Sequence, residues 1–324
     1  MPVVQRRLVP LPLIFLCLLA LLGGCGSSSG DSSRPAPSAG EFPTAKGKTI
    51  AALLRDSGAK PSKLVIAPAA QSFVVGENRY PFGVFTRGHE QVDDAEVAVY
   101  FARSEKAPVT GPLPARVSSL ETKAAYRAAG EDPDQAKNVY VVPQVDFDHK
   151  GPWVAMAMIK DGGELEASRI PSPVVGGGSV PQVGQRAPLI HTPTAADVGG
   201  DLSRIDTREP HDRMHRVDFA DVVGKQPVVL VFATPALCQS RVCGPVVDVA
   251  QQVADRYKGR AEFIHMEIWQ NNEIGAPRAQ VRAYHLETEP WTFLIDRDGI
   301  IRDRIEGAYG VSELDHAMRT ILPG

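Results

Sequence analysis

Two cysteines five positions apart, Cys238 and Cys243, are the residues of this chain whose types and spacing best fit chemistry. Thiols that close can form a disulfide that opens and closes by exchange, or a static crosslink worth about 2–3 kcal/mol in so small a loop. The flanking residues decide which geometry is open to them. Ahead of the pair, V-V-L-V-F-A from Val228 is a continuous apolar run rich in β-branched residues, which predicts a buried strand of a parallel or mixed sheet. Behind it, Val246, Ala250, Val253 and Tyr257 recur at helical spacing, with Asp248, Gln251, Gln252, Asp255 and Arg256 largely off that stripe. Pro245 is tolerated only in a first helical turn, so the helix starts around Val242 to Gly244. On one regular helix the two side chains would diverge by about 140°. With Cys238 in the loop and Cys243 at the helix start, they can close to disulfide distance. The free amides and dipole of the helix start lower a nearby thiol's pKa, and Arg241 between the cysteines adds to that. Cys243 falls on the inward face of the helix. Cys238 is therefore assigned as the exposed attacking thiol and Cys243 as the sheltered resolving one.

Strand, cysteine-bearing turn and helix in this order resemble the thioredoxin superfamily, where the turn reads C-G-P-C. Cys243-Gly244-Pro245 matches the first three residues of that motif, Val246 stands where its second cysteine would be, and the partner lies upstream at Cys238. By motif alone Cys243 would attack; by loop exposure and helix face Cys238 does, and the second reading is adopted. Further along, Pro290-Trp291-Thr292-Phe293-Leu294-Ile295-Asp296 with Asp298-Gly299 is similar to a segment of extracytoplasmic TlpA/redoxin-type thioredoxin-fold proteins. That resemblance implies a cis Pro290 lying against the thiols; the alternative is an ordinary proline ahead of an edge strand. Glu289 beside it departs from the family. It is either a carboxylate that raises a thiol pKa or accepts a proton, or a solvated loop acid. Arg241 and Glu289 are thus candidate modulators. A peroxiredoxin motif is absent, since Thr234 precedes Cys238 by four residues rather than three, and the C-x4-C pair is one residue longer than the C-x-x-x-C of Sco-like copper chaperones.

The elements that would position this site follow the pattern of the chain. Residues 261–268 form a second apolar strand and 277–285 a helix. Residues 291–296 and 300–306 flank Asp298-Gly299 as a hairpin. Ser312 is expected to cap a last helix, with Asp315 at the capping-box position and Leu314, Ala317, Met318 and Ile321 facing the core.

With 324 residues the chain has room for two domains, and a formal net charge of -3 gives no general pull toward nucleic acid or an anionic membrane. Residues 1–24 read as a leader: Arg6 and Arg7 precede an apolar run over 11–22 that is short for a membrane span. It ends in Leu22-Gly23-Gly24-Cys25, which resembles the lipobox of bacterial lipoproteins. The resemblance implies cleavage and acylation at Cys25 and an extracytoplasmic chain anchored to the bacterial cell membrane; an ordinary secretory signal or an uncleaved anchor are the alternatives. Of four cysteines, Cys17 then leaves with the leader and Cys25 is taken by lipid. Only Cys238 and Cys243 remain, in a compartment that permits disulfides.

Residues 25–47 read as a flexible linker. Residues 48–176 are β-rich, with a short helix over 49–55, a helix over 121–129 and candidate strands at 63–67, 72–75, 80–86, 96–102, 139–146, 153–159 and 165–170. Pro143 marks an edge strand or a bulge. The pattern predicts an all-β, Ig-like sandwich with no chemistry of its own, serving as spacer or partner-binding domain. Gly176-Gly177-Gly178 is taken as the boundary, with few contacts crossing it, before an α/β thioredoxin-like domain over 177–324. His211, Met214 and His215 would suit copper if they approached the cysteines, but they read as a solvated polar loop. No metal and no cofactor are expected.

The expected activity is that of a membrane-tethered extracytoplasmic thiol-disulfide oxidoreductase, with catalytic Cys238, Cys243 and Pro290, acting on protein thiols or disulfides. The competing expectation is a non-catalytic lipoprotein binding module whose disulfide is structural. If Cys25 carries lipid, Cys25→Ser abolishes acyl labelling and leaves a precursor or a released form; an unchanged membrane-bound mature species would contradict the lipobox.

Overall fold

The computed structural model of the chain describes residues 1–2, 32–129 and 135–322. Cys17, Cys25 and the Leu22–Cys25 stretch expected to be a lipobox lie outside the described residues. The chain separates into Met1–Gly30 and Asp31–Gly324, and everything below concerns the second unit. Among the described residues no helix is long and apolar enough to cross a membrane.

The N-terminal half is a sandwich of two sheets. One runs in the order Lys60–Pro61, Glu164–Ile170, Val154–Asp161, Glu96–Ala102, Val109–Pro114; the other in the order Val65–Pro68, Gly76–Phe85, Asn138–Phe147, Arg116–Ser119. Alternate residues face inward, as strand geometry requires. Val97, Val99, Phe101, Ala155, Ala157 and Ile159 of the first sheet pack on Tyr80, Phe82, Val84, Tyr140 and Val142 of the second. The Ile50–Ser57 helix, capped by the Thr49 hydroxyl, covers the outer face of the first sheet with Ile50 and Leu53 against Tyr100 and Met156. Pro143 lies in an inner strand, at a register shift where Asn78 pairs Val145 and Tyr80 pairs Val142. It is a bulge, the position at which an inner strand tolerates proline.

The C-terminal half is built on a four-stranded sheet, ordered Glu262–Met266, Val228–Phe232, Trp291–Ile295, Ile301–Glu306. The first two strands are parallel and the other pairings antiparallel. On one face Val229, Val231, Phe263, Leu294 and Ile305 pack under the Cys243–Arg256 and Val311–Ala317 helices. On the other, Val228, Leu230, Phe232, Phe293 and Ile295 pack on Phe219, Val281 and Tyr284. The hairpin around Asp298-Gly299 and the start of the long helix at Cys243 match the sequence reading. The last helix differs: its N-cap is Gly310, and Ser312 lies within the first turn. Residues 121–129 differ too, holding a single 3-10 turn at Ala124–Tyr126. There the Lys123 and Ala128 amides donate to the side chains of Gln252 (2.7 Å) and Asp248 (3.1 Å), which removes them from any helical ladder. The linker is also held from residue 34 on: Arg34 pairs with Val117, and Phe42 and Ala45 are buried.

The expectation of few contacts across the glycine run does not hold. Leu120, Val139 and Val141 of the sandwich share one apolar core with Cys243, Val246 and Val249 of the helix. Polar ties run beside it. Glu313 is gripped by Arg79 at 2.7 Å and Arg116 at 2.8 Å, and Glu306 accepts the Gln71 and Ser72 amides at 3.0 and 2.9 Å. A Cβ on Gly307 or Gly310 would run into the carbonyls of Ala69 and Ser119, so the backbones themselves touch. Burial opposes the Glu313 charge, yet the two arginines hold its carboxyl below its ordinary value. The stabilisation is therefore present above the unfolded carboxyl pKa and is lost as pH falls through the lower folded value. Glu313→Gln, which leaves two guanidiniums half-paired, is expected to cost about 3 kcal/mol at neutral pH and to flatten that acid limb. Chemical denaturation at pH 7 and pH 4 measures both, and the full chain should unfold in one transition; two resolved transitions would contradict the shared core.

Candidate functional site

The site is assembled where the Val228–Phe232 strand gives way to the Cys243–Arg256 helix. Five apolar residues bury that strand completely, and Ala233 and Thr234 carry the chain out under the neighbouring loop. Arg241 then turns the chain with a left-handed backbone, φ 57°, its amide bonded back to the Cys238 carbonyl at 3.2 Å. This turn returns Cys238 to the start of the helix. Cys243 is the first helical residue, fully buried, and Cys238 is half-buried in the loop.

The peptide bond between Glu289 and Pro290 is cis, and Pro290 directly precedes the Trp291–Ile295 strand. This placement sets Glu289 against the thiols. Its Oε2 accepts the Thr234 amide at 2.9 Å and the Cys243 thiol at 3.4 Å. Ligand atoms of Cys238, Cys243 and Glu289 all lie within 4.8 Å of one another. The structure therefore brings together Cys238, Cys243 and Glu289, with Pro290 next to Glu289 in the chain. Glu289 is not a solvated loop acid, and Pro290 stands at an inner strand rather than an edge one.

The electrostatics separate the two thiols. Cys238 is lowered to about 6, chiefly because its sulfur accepts a hydrogen bond from Cys243; burial opposes this, and Ser240 at 3.2 Å and the amides of Cys243 and Val242 assist. Those amides are the unpaired donors of the helix start. Cys243 moves the other way, well above its ordinary value, through burial, its bond to Cys238 and the nearby carboxylate. Burial and the Cys238 charge push Glu289 up to about 7. One thiol is held as thiolate, the other as thiol, with a carboxyl poised near neutrality beside the second.

The sandwich, read from sequence as remote from the chemistry, reaches this site. The Ala136 amide donates to the Arg241 carbonyl at 3.2 Å, and Gln135 crowds Gly244 at the helix start. A groove of ≈ 1530 Å³ runs past Leu237, Ser240 and Glu289 on one wall and Val65, Phe85 and Gln135 on the other. Sequence reasoning missed Thr234, Ser240 and this wall; contact between segments far apart in the chain leaves no local pattern.

His211, Met214 and His215 do not gather at the thiols. Met214 is buried in the apolar core, while His215 groups with Asp206, Asp212 and His265, all buried. The solvated polar loop expected over 211–215 is thus largely interior.

No family model matches the chain, and no curated protein matches it. Among solved structures it is similar to a protein assigned as the thiol:disulfide interchange protein DsbE from Chlorobium tepidum, with 17% identity and a TM-score of 0.31 over 43% of this chain and 95% of that one. A thioredoxin-family thiol:disulfide interchange protein from Chlorobium tepidum TLS is similar at 15% identity and a TM-score of 0.31, over 44% of this chain and 98% of that one. In the C-terminal half the cysteine-bearing turn and the Cys243–Arg256 helix follow the Val228–Phe232 strand, which lies inside the four-stranded sheet.

Alkylation of the reduced protein should modify Cys238 first, with a midpoint near pH 6, and leave Cys243 protected until the chain unfolds. Mass mapping across a pH series reads this directly; equal labelling of both thiols with a midpoint near 8.5 would contradict the asymmetry.

Proposed function

We propose that this chain is a membrane-tethered, extracytoplasmic thiol-disulfide oxidoreductase that uses the Cys238–Cys243 pair. The observation that carries the reading is the geometry of the pair: Cys238 half-buried where a partner can meet it, Cys243 sealed behind it, and Glu289 against Cys243, with ligand atoms of all three within 4.8 Å of one another. In the reducing direction, the Cys238 thiolate attacks one sulfur of a client disulfide; a mixed disulfide forms and one client thiolate leaves, taking up a proton. Cys243 passes its proton to Glu289 and attacks the Cys238 sulfur. The second client thiolate departs, and the protein is left with the Cys238–Cys243 disulfide. Two electrons have moved from protein to client. The same steps reversed oxidise a client dithiol. Glu289, near neutrality, can both accept and return the proton that Cys243 must lose and regain.

In this reading Pro290 shapes the rim beside the thiols, Cys25 carries the lipid anchor, and the sandwich, Ig-like in broad architecture, forms one wall of the groove through which protein clients reach Cys238. Cys243→Ser is expected to accumulate mixed disulfides through Cys238, because nothing remains to release them, and Cys238→Ser to accumulate few. Non-reducing gels of both variants test this. Trapping through Cys243 alone would reverse the roles, and trapping by neither would favour a structural disulfide.

A further inference from the structure

A second cluster of chemically active side chains lies beneath the same layer. Asp206, Asp212, His215 and His265 are each buried, and one ligand atom from each falls within 4.8 Å of the others. We propose that these four residues form a binding site for a divalent transition-metal ion of the zinc class.

The donor set is the first ground. Two imidazoles and two carboxylates are borderline and hard ligands that suit such an ion, and two carboxylates with neutral imidazoles balance its charge inside the protein. Four ligands around a tetrahedral ion at about 2.0–2.1 Å stand about 3.4 Å apart. His215 Nε2 lies 3.4 Å from Asp212 Oδ2 and 3.7 Å from Asp206 Oδ2, close to two edges of such a tetrahedron. The remaining approach, His265 Nδ1 to Asp212 Oδ2 at 2.5 Å, has to open as an ion enters between them.

The second ground is His215. Its side chain is 2% exposed and neither ring nitrogen makes a hydrogen bond. A buried imidazole left so is costly, and its Nε2 is aimed at the two carboxylates. The surroundings hold the other donors as outer partners of a metal site do. His265 Nε2 donates to the Ala233 carbonyl at 2.9 Å, which leaves Nδ1 as the ligating atom. Asp206 accepts the Arg208 and Asp212 amides at 2.9 and 2.7 Å, and Asp212 accepts the Met214 amide at 2.7 Å. An ion here would staple the irregular 206–215 segment to the Glu262–Met266 strand, next to the Ala233–Thr234 exit on which the thiol site is built.

The test uses the full chain and the Cys238→Ser/Cys243→Ser double variant, so that the thiols cannot supply the ligands. Zinc added to either should bind at one ion per chain and raise the melting temperature with concentration. Cobalt in its place should give visible bands without thiolate charge transfer. His215→Ala and Asp206→Asn should each weaken binding by about 100-fold or more, beyond the loss of an outer partner. A double variant whose melting temperature ignores zinc, cobalt bands of thiolate origin, or unaltered zinc affinity in folded His215→Ala would each overturn the site. The melting experiment needs no substitution in the cluster and stands even if those variants fail to fold.

Discussion

The single proton of the buried Cys243 thiol, held between the Glu289 carboxylate and the Cys238 sulfur, sets the terms for everything around it. A buried thiol cannot ionise cheaply, because charge in a low-dielectric interior lacks water. It therefore stays a donor, and a donor beside a second sulfur stabilises that sulfur as thiolate. The position of Cys243 is fixed by sequence-local physics: Pro245 admits only the first turn of a helix, and the apolar strand before it buries that turn. Glu289 is fixed from a distance, by the strand that follows Pro290.

That geometry is braced by the sandwich. Leu120, Val139 and Val141 close the core over the helix that begins at Cys243, and Asp248 on the same helix is bonded to Arg208 at 2.8 Å as well as to the Ala128 amide. Burial raises the Asp248 carboxyl despite Arg208, as expected of a paired but enclosed acid. The helix is thus gripped along its length by residues from both halves of the chain. A cysteine-bearing layer joined to a sandwich in this way can keep its loop open to a groove without letting the helix start shift, so that one thiol is reachable while the other stays sheltered.

Much of this was legible in the sequence, for local reasons. Pro245, the β-branched run from Val228 and the Asp298-Gly299 turn each act within a few residues, and each placed its element correctly. The strands Val109–Pro114 and Arg116–Ser119 were missed because glycine and prolines in 109–114 read as loop; both lie at sheet edges, where proline is admitted. The Gly176-Gly177-Gly178 run looked like a boundary because glycine is read as a break, but composition says nothing about packing across it. Burial of Asp206, Asp212, His215 and His265 together was hidden for the same reason. His265 alone left a trace, as a polar residue inside the F-I-H-M strand.

The central claim is that Cys238 and Cys243 form an exchangeable pair whose reduced form is favoured by a stabilised thiolate. Equilibrating the full-length protein against a graded dithiol buffer at pH 7, and quantifying both sulfurs by mass, measures its potential. Reversible two-electron behaviour is expected, with a midpoint clearly above the roughly −300 mV typical of structural disulfides, because a thiolate held near pKa 6 stabilises the reduced state. A bond that stays closed below about −300 mV in the folded protein would contradict it.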